Sequence, residues 1–513
     1  MKKRNKVKQF IRNGLSRILV ILLATAVQIA LQLAFMTWLR DKLAWIEAVL
    51  HILGIIITIA ILKNSRHLST DILWILLINA FPIVGTILYI FLGADLFFSR
   101  TYRDIYNATE DSRRYYLQDE TIMEELAQID PYKHSQLEYI SDYAGYPVYR
   151  NYGFDYYPLG ELAYPVILEE LKKAKHFIFL EYFIIEQGEF WDSILAILEE
   201  KVKEGVDVRV MYDDLGSFFQ LPASYYRTLE EKGIKCIPFN RINIILNVII
   251  NHRDHRKIMV IDGKVAFSGG INLADEYINV VEKYGKWKDN VIRVKGEAVW
   301  SYTVMFLTHW NALRHEDENF LDFKADNRLR KSDGFICPYG ETPLDDEICA
   351  QNIYMNILYQ ANHYCYISTP YLIIDTEMIN ALILCAKRGV DVRIVTPGIP
   401  DKKMVYQITR SYYRQLIEGG VKIYEYTPGF NHGKVFISDD DIATVGTVNL
   451  DYRSLYLHFE NGTLLFESSR IKEIKDDMLS MIAEGHQVSL EESRRGPISE
   501  FLLGILRLFA PLM

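Results

Sequence analysis

The sequence predicts an α/β protein of two pseudo-symmetric subdomains, each a β-sheet flanked by helices, preceded by N-terminal transmembrane helices. Three observations predict this fold. Long apolar runs are confined to the first hundred residues, helix and strand patterns repeat beyond residue 160, and one polar motif occurs once in each copy of the repeat. A chain of 513 residues is long enough for two or three domains, each with its own core.

The composition fits a folded protein with a local membrane region. Half of the residues are hydrophobic and 24% are charged, which excludes a disordered or fibrous chain. The formal net charge of -9 argues against electrostatic wrapping of nucleic acid, so we expect no nucleic-acid partner. The five cysteines show neither C-x-x-C spacing nor a paired His cluster, so we predict buried thiols and no zinc site.

Residues 1–95 are predicted to form a membrane region with two or three hydrophobic helices. A strongly basic segment without acidic residues precedes the apolar run Ile18–Leu39, which is a positive-inside pattern. This run can cross about 30 Å of hydrocarbon and is too long for the core of a signal peptide. A second run, Ala44–Leu62, is also predicted to span.

The third run, Ile72–Leu92, leaves the topology open. It is long enough to cross, but Asn79 and Pro82 interrupt its middle, so a re-entrant helix competes with a full span. Two crossings return the chain to the cytoplasm, whereas three place the large domain outside. We therefore predict a multi-pass protein of the cell membrane, followed by a polar, acidic juxtamembrane connector at residues 96–140.

An internal repeat of helix and strand patterns follows the connector. The first copy contains HFIFLEYFII (His176–Ile185) and KEGVDVRV (Lys203–Val210), and the second contains HYCYISTPYLII (His363–Ile374) and KRGVDVRI (Lys387–Ile394). In both copies a Gly precedes an alternating Val-Asp-Val-Arg segment, which predicts a helix C-cap that leads into a strand.

The repeat divides the remaining chain into a first half, residues 141–325, and a second half, residues 326–513, which ends in an apolar helix. Apolar strands that alternate with helices are typical of β-α-β units. We predict that the halves pack about a pseudo-two-fold axis with one cleft between them.

Each half carries the motif H-x-K-x4-D with an Asn ten residues after the Asp. Its members are His255, Lys257, Asp262 and Asn272 in the first half and His432, Lys434, Asp439 and Asn449 in the second. One such motif is a weak signal, but two copies in register at four positions are specific. Side chains alternate along a strand, so the His and Lys of each motif should face one pocket.

These motifs and their flanks resemble the phospholipase D superfamily, and more closely the bacterial cardiolipin synthases. The flanks read SGGINLADEY (Ser268–Tyr277) and GTVNLDYRS (Gly446–Ser454), and the first motif stands within HRKIMVIDGK. The apolar N-terminus with its Pro-Ile-Val-Gly break and the closing LLGILRLFAPLM extend the likeness over nearly the whole chain. The resemblance implies two phospholipase D-type subdomains.

The resemblance also implies a mechanism that uses neither a metal ion nor a cofactor. One His attacks phosphorus to give a phosphohistidine, while the other protonates the leaving alcohol and deprotonates the incoming one. By family habit His255 is the nucleophile and His432 the acid/base, although the near symmetry of the motifs permits the reverse. Lys257 and Lys434, with Asn272 and Asn449, should hold the phosphoryl oxygens.

Carboxylates complete the implied site. The family places one behind each histidine, and Glu460 in LHFENG and Asp289 in WKDN occupy the matching regions, with Glu460 the better match. Asp262 and Asp439, which are counted with the motifs among the catalytic residues, are expected to brace the fold.

The motifs alone do not decide between water and an alcohol as the acceptor. A membrane anchor favours lipid over nucleic acid, because it holds the site where the local lipid concentration is high. By the resemblance, donor and acceptor are both phosphatidylglycerol, and the products are cardiolipin and glycerol. The alternatives are a phosphatidylserine synthase-like transferase, a hydrolytic phospholipase D, a nuclease and a non-catalytic scaffold.

Overall fold

The computed structural model describes residues 40–63, 68–82, 85–86, 89, 100–241, 252–327 and 331–508. The chain divides into two units, Met1–Phe98 and Ser99–Met513. The second unit contains both predicted halves and all of the motif residues.

Two helices form the described part of the N-terminal unit. Helix α1 is Arg40–Lys63, which covers the second predicted span, and helix α2 is Leu68–Ala80, which ends just before Pro82. The first predicted span, Ile18–Leu39, lies outside the described residues. Among the residues that the structure describes, no helix has both the length and the apolar character that a bilayer crossing requires.

The second unit alternates helices with strands. Its helices are α3 Arg100–Ser112, α4 Glu120–Ile129, α5 Pro131–Asp142, α6 Gly160–Lys172, α7 Glu189–Lys203, α8 Tyr225–Glu231, α9 Val299–Arg314, α10 Cys349–Gln360, α11 Thr376–Lys387, α12 Lys403–Glu418, α13 Tyr452–Tyr456, α14 Ile471–Glu484, α15 Leu490–Ser493 and α16 Pro497–Leu508. Short 3-10 turns occur at Arg113–Tyr115, Asp275–Ile278 and Phe320–Phe323.

The strands form two large sheets and two small ones. They are β1 Tyr149–Arg150, β2 Gly153–Tyr157, β3 Phe177–Tyr182, β4 Asp207–Asp213, β5 Lys235–Phe239, β6 Arg253–Asp254, β7 Lys257–Ile261, β8 Val265–Gly269, β9 Lys286–Lys288, β10 Val291–Lys295, β11 Phe335–Glu341, β12 Tyr364–Ser368, β13 Leu372–Ile373, β14 Asp391–Pro397, β15 Lys422–Tyr426, β16 Gly429–Asn431, β17 Val435–Ser438, β18 Ile442–Gly446, β19 Leu450–Asp451, β20 His458–Phe466 and β21 Gly485–Gln487.

The two large sheets have the same strand order. The first runs β2-β10-β8-β7-β3-β4-β5, and the second contains β11-β20-β18-β17-β12-β14-β15, with β1 and β21 added at its edges. In the first sheet β3 pairs in parallel with β4, and in the second β12 pairs in parallel with β14. The motif strand of each half, β7 or β17, begins at or directly after the motif lysine and pairs antiparallel with β3 or β12. The predicted α/β fold with two related halves is therefore confirmed.

The repeated helix ends are formed by glycines in the left-handed region. Gly205 follows α7 with φ +86°, and Gly389 follows α11 with φ +94°. Glycine adopts this conformation without steric strain, so both helices end where the sequence predicts. After each helix the chain enters a strand, β4 or β14, that pairs in parallel with β3 or β12.

The core joins the halves through helix α9. All but the last two of its 16 residues are buried. Its apolar side chains belong to a cluster that includes Phe179 and Val260 of the first sheet and Ile437 and Leu465 of the second. Because one cluster contacts both sheets, their relative position depends on packing as well as on the loops.

The two motif aspartates lie at tight turns after β7 and β17. The carboxylate of Asp262 accepts the backbone N–H groups of residues 175–177 at 2.7 to 2.9 Å. The carboxylate of Asp439 accepts those of residues 362–364 at 2.6 to 3.0 Å. Each aspartate therefore connects the motif strand to the start of its neighbour in the sheet.

Replacement of either aspartate by Ala should destabilise the protein. Asp262→Ala and Asp439→Ala each leave three N–H groups without their acceptor, and we expect the free energy of unfolding to fall by about 1–3 kcal/mol. Urea denaturation followed by fluorescence measures the change. Asp262→Asn retains one acceptor oxygen and should lose less stability than Asp262→Ala; equal stability of the Ala variants and the unmodified protein would contradict this role.

Candidate active site

Short strands exchanged between the halves bring the motifs together. Strand β6 leaves the first half to pair in parallel with β20, and β9 of the first half pairs in parallel with β16 of the second. At the ends of these pairs the backbone N–H of His255 donates to the carbonyl of Phe459 at 2.8 Å, and that of His432 donates to the carbonyl of Lys288 at 2.7 Å. Each motif histidine is thus held by backbone of the opposite half.

The first histidine is bonded to a carboxylate from the second half. Nδ1 of His255 lies 2.8 Å from both carboxylate oxygens of Glu460. Glu460 is fully buried, and the hydroxyl of Thr447 also donates to it. An acceptor at Nδ1 fixes the imidazole tautomer that carries its lone pair on Nε2.

The second histidine has the mirrored arrangement. Nδ1 of His432 lies 2.6 Å from the carboxylate of Asp289, a fully buried residue of the first half. The Cβ atom of any larger residue at Gly270 would meet this carboxylate at 1.9 Å. Glycine at this position therefore leaves room for the carboxylate behind His432.

Both motif lysines are buried beside the histidines. Nζ of Lys257 donates to the carbonyl of His255 at 2.7 Å, and Nζ of Lys434 donates to the carbonyl of His432 at 2.5 Å. These bonds position the ammonium groups within their own motifs. A buried ammonium without a bound anion keeps its charge at an electrostatic cost.

Burial lowers the pKa values of all four groups, and repulsion by nearby cations adds to the effect for Lys257 and both histidines. Burial lowers the pKa of Lys257 to about 7 and that of Lys434 to about 8. It lowers the pKa of His432 to about 4, with Lys434 adding to the effect, while Asp289 opposes it. The pKa of His255 falls well below its usual value because of burial and then the charges of Lys257 and Lys434.

The charges of the two motifs act on one another across the halves. Lys434 and His432 of the second half act on His255, and Lys257 of the first half acts on His432. Interactions of this kind require charges that lie close together. The two imidazole–lysine pairs therefore lie close together, in line with the backbone bonds that cross between the halves at His255 and His432.

The motif asparagines are bonded within the protein. Asn272 accepts the backbone N–H of Ile184 at 3.0 Å and donates to the hydroxyl of Tyr277 at 2.7 Å. Tyr277 in turn packs edge-on against His432, with ring centroids 5.5 Å apart. Asn449 donates to Asp451 at 3.0 Å. Both amide groups are thus oriented by neighbours before any phosphate binds.

A third imidazole, which the motif spacing does not indicate, lies beside His255. The rings of His458 and His255 are 5.7 Å apart, and Nδ1 of His458 is 3.8 Å from Glu460. The equivalent residue of the first half is Trp287, whose ring centroid is 5.6 Å from that of His432. An alignment of LHFEN with KWKDN finds both residues and shows that the halves differ here.

A buried charged cluster that the motifs do not indicate lies next to the His255 motif. Glu181 is 3.7 Å from the Arg256 guanidinium and 3.2 Å from Nδ1 of His309, and Asp254 completes the group. Burial raises the pKa of Glu181 to about 7 and also raises that of Asp254. Arg256 carries one positive charge, so the cluster is neutral when Glu181 and Asp254 share one proton. A divalent cation in place of that proton would leave an excess positive charge.

The second half has no such charges at the equivalent positions. There the hydroxyl of Ser368 donates to the side-chain oxygen of Asn431 at 3.1 Å, and the same oxygen accepts the backbone N–H of Gly433 at 3.1 Å. The two halves thus share the motif geometry but differ in what supports it.

Comparison with known proteins supports the family resemblance that the motifs indicate. A family model described as "Cardiolipin synthase, PLD-like domain" matches residues 167–310 and 354–482. A second, described as "Phospholipase_D-nuclease N-terminal", matches residues 52–93. The chain belongs to the cardiolipin synthase family of phospholipase D-like proteins.

Relatives in this family align over most of the chain. An uncharacterised protein of Streptococcus mutans is 43% identical over 88% of this chain and 98% of its own length. A cardiolipin synthase of Alkalihalophilus pseudofirmus is 32% identical over 90% of this chain and 92% of its own length. One of Geobacillus kaustophilus is 30% identical over 97% of this chain and 99% of its own length. A crystal structure of phosphatidylserine synthase from Haemophilus influenzae shares the fold, with a TM-score of 0.56 at 15% identity over 72% of this chain and 98% of that one.

Amides in place of the two buried carboxylates should slow turnover without unfolding the protein. In Asp289→Asn or Glu460→Gln the new NH₂ group can donate to Nδ1 and reverse the tautomer of the paired imidazole. We expect kcat to fall by about 10³- to 10⁴-fold. Lipid-exchange assays measure the loss, and circular dichroism checks the fold. Nearly unchanged turnover in both variants would contradict a role for the crossed pairs.

The lysine pKa values also predict an alkaline limit to activity. As pH rises through about 7 to 8, Lys257 and then Lys434 lose their charge in the free protein, so a phosphodiester anion should bind less well. We expect kcat/KM to decline in this range. Lys257→Arg keeps its charge and should move the decline to higher pH; a profile that is flat to pH about 10 would contradict it.

Proposed function

We propose that this chain is a cardiolipin synthase that transfers the phosphatidyl group of one phosphatidylglycerol to a second and releases glycerol. The observation that carries the proposal is the crossed pairing of two buried histidines, His255 and His432, with carboxylates of the opposite half. The cardiolipin synthases that align with nearly the whole chain support this choice of lipid.

The first step is attack by His255 on phosphorus. Because Glu460 is bonded to Nδ1, the attacking lone pair is on Nε2. An N–P bond forms as the P–O bond to the glycerol headgroup breaks, and His432 gives its proton to the departing oxygen. Glu460 offsets the positive charge of the phosphorylated imidazole.

The second step returns the enzyme to its starting state. A hydroxyl group on a second phosphatidylglycerol attacks phosphorus, His432 accepts its proton, and the N–P bond breaks. Asp289 stabilises the resulting imidazolium. One phosphodiester replaces another, so the exchange needs no nucleotide.

The bound phosphodiester completes the charge balance of the site. In the protein alone, burial and Lys434 keep the pKa of His432 at about 4. A phosphate anion held between Lys257 and Lys434 offsets their charge, so His432 can take up the proton that its acid role requires. In this proposal Asn272 and Asn449 support the phosphate site, and Asp262 and Asp439 act through the loops that they hold.

The remaining chain is proposed to hold this site at a membrane. Residues 1–95 would form a multi-pass anchor of two or three helices, residues 96–140 a connector, and residues 141–325 and 326–513 the two catalytic halves. The apolar N-terminal runs behind a basic segment support the anchor, as does the family match at residues 52–93. Tethering raises the lipid concentration at the site.

Purified protein in phosphatidylglycerol vesicles should form cardiolipin and glycerol without any CDP-lipid. Lipid chromatography resolves the products. Phosphatidic acid as the sole product would indicate a hydrolytic phospholipase D, and a requirement for a CDP-lipid would indicate phosphatidylserine synthase-like chemistry. Either outcome would contradict the exchange reaction.

In the same assay His255→Ala and His432→Ala should each lower turnover by at least about a thousandfold, because the halves share one site. Two independent sites would leave about half of the activity in each variant, a result that the crossed geometry forbids. EDTA should have no effect. Inhibition by EDTA that a divalent ion reverses would contradict the metal-independent mechanism.

A further inference from the structure

The exchanged strands β9 and β16 begin at a surface that is built from both halves. The first half contributes residues 279–286, which lead into β9, and the second contributes residues 398–404, which lead into α12. The backbone N–H of Ile399 donates to the carbonyl of Gly429 at 3.2 Å, and Gly429 pairs with Lys286. The two segments therefore lie side by side at the exchanged strands. We call them the mouth surface.

Apolar side chains project from the mouth surface into solvent. Val280 and Val281 are 47% and 48% exposed, and Ile399 and Met404 are 41% and 54% exposed. Four such residues on two adjoining segments differ from the scattered apolar residues of an ordinary surface.

Basic side chains occur on the same two segments as these apolar ones. The exposed lysines of the mouth surface are Lys283, Lys286, Lys402 and Lys403. Lys283 also pairs with Glu276 at 2.8 Å, and Lys402 lies over the ring of Tyr371 at 5.5 Å. The acidic residues within the two segments are Glu282 and Asp401, and Asp401 accepts a hydrogen bond from Tyr371. The surface is therefore both apolar and predominantly basic.

We propose that the mouth surface docks on an anionic bilayer and delivers lipid headgroups from the membrane surface to His432. This inference rests on the proposed function, because it assigns the surface through which the lipid substrate enters. Apolar side chains flanked by lysines fit the boundary between acyl chains and anionic headgroups. The exchanged strands β9 and β16 then lead directly from that boundary to the histidine.

A second protein fits this surface less well than a bilayer does. Four half-exposed aliphatic side chains offer a few hundred Å², whereas each partner of a stable complex buries about 800 Å². A bilayer needs no complementary shape and accepts the side chains individually. Phosphatidylglycerol is itself anionic, so the lysines attract the substrate-rich surface.

Site-directed labelling tests the docking. All five native cysteines are buried, so a cysteine at Val281 can be labelled selectively with an environment-sensitive dye in the full-length protein in vesicles. Leu384→Cys is the matched control, because Leu384 is 51% exposed on α11. Ile383, the neighbour of Leu384, packs against Gly419. Gly419 follows the end of α12 that is opposite to the mouth surface, about 24 Å from Lys403.

Lipids that carry a quencher in the acyl chain should quench the dye in Val281→Cys and not in Leu384→Cys. Quenching should weaken when phosphatidylglycerol is replaced by a zwitterionic lipid. Equal quenching at the two positions, or quenching at Val281 that is insensitive to lipid charge, would overturn the proposal.

Activity gives an independent readout of the same surface. The Val280→Asp/Val281→Asp variant should raise the apparent KM for phosphatidylglycerol in vesicles several-fold, with kcat on short-chain, monomeric phosphatidylglycerol unchanged. An unchanged KM on vesicles would also overturn the docking. If the unmodified protein forms no cardiolipin, the proposed function fails, while the quenching measurement still decides whether the surface docks.

Discussion

The proposed active site depends on one constraint: each motif imidazole is held by a carboxylate and by the backbone of the opposite half. Glu460 of the second half serves His255, and Asp289 of the first half serves His432. Neither half alone contains a complete site. The exchanged strands β6 and β9 impose this arrangement, since they fix the backbone of each histidine against the partner sheet. Duplication of the motif therefore produces one site rather than two.

Burial is the basis of the affinity for a phosphodiester that we propose for this site. Two lysines and two histidines are removed from water, and the resulting desolvation lowers the pKa values of all four. In the proposed mechanism, an anion that enters restores the charge balance and lets one imidazole take up a proton. Substrate binding and acid catalysis would then be coupled through the same electrostatics. The proposed docking of the mouth surface would place this site at the membrane, where the anionic substrate is most concentrated.

Much of this fold can be predicted from local sequence. Some features depend only on residues that are close together in the chain: the two glycines after α7 and α11, the alternating strands and the motif spacing. The structure contains the glycine turns and the strands as predicted. The crossed pairing cannot be predicted in this way, because Asp289 and His432 are 143 residues apart. The same holds for the cluster around Glu181, whose members come from separate elements and meet only in the folded core.

The tautomers of the two motif histidines provide the most direct test of the crossed pairing. Nuclear magnetic resonance of isotope-labelled histidine, with the signals of His255 and His432 assigned by mutation, reports the protonation of Nδ1 in each ring. Glu460→Gln should change the Nδ1 signal of His255 and leave that of His432 in place, and Asp289→Asn should do the reverse. If Glu460→Gln instead perturbs His432 alone, each half supplies its own carboxylate and the shared-site account is wrong.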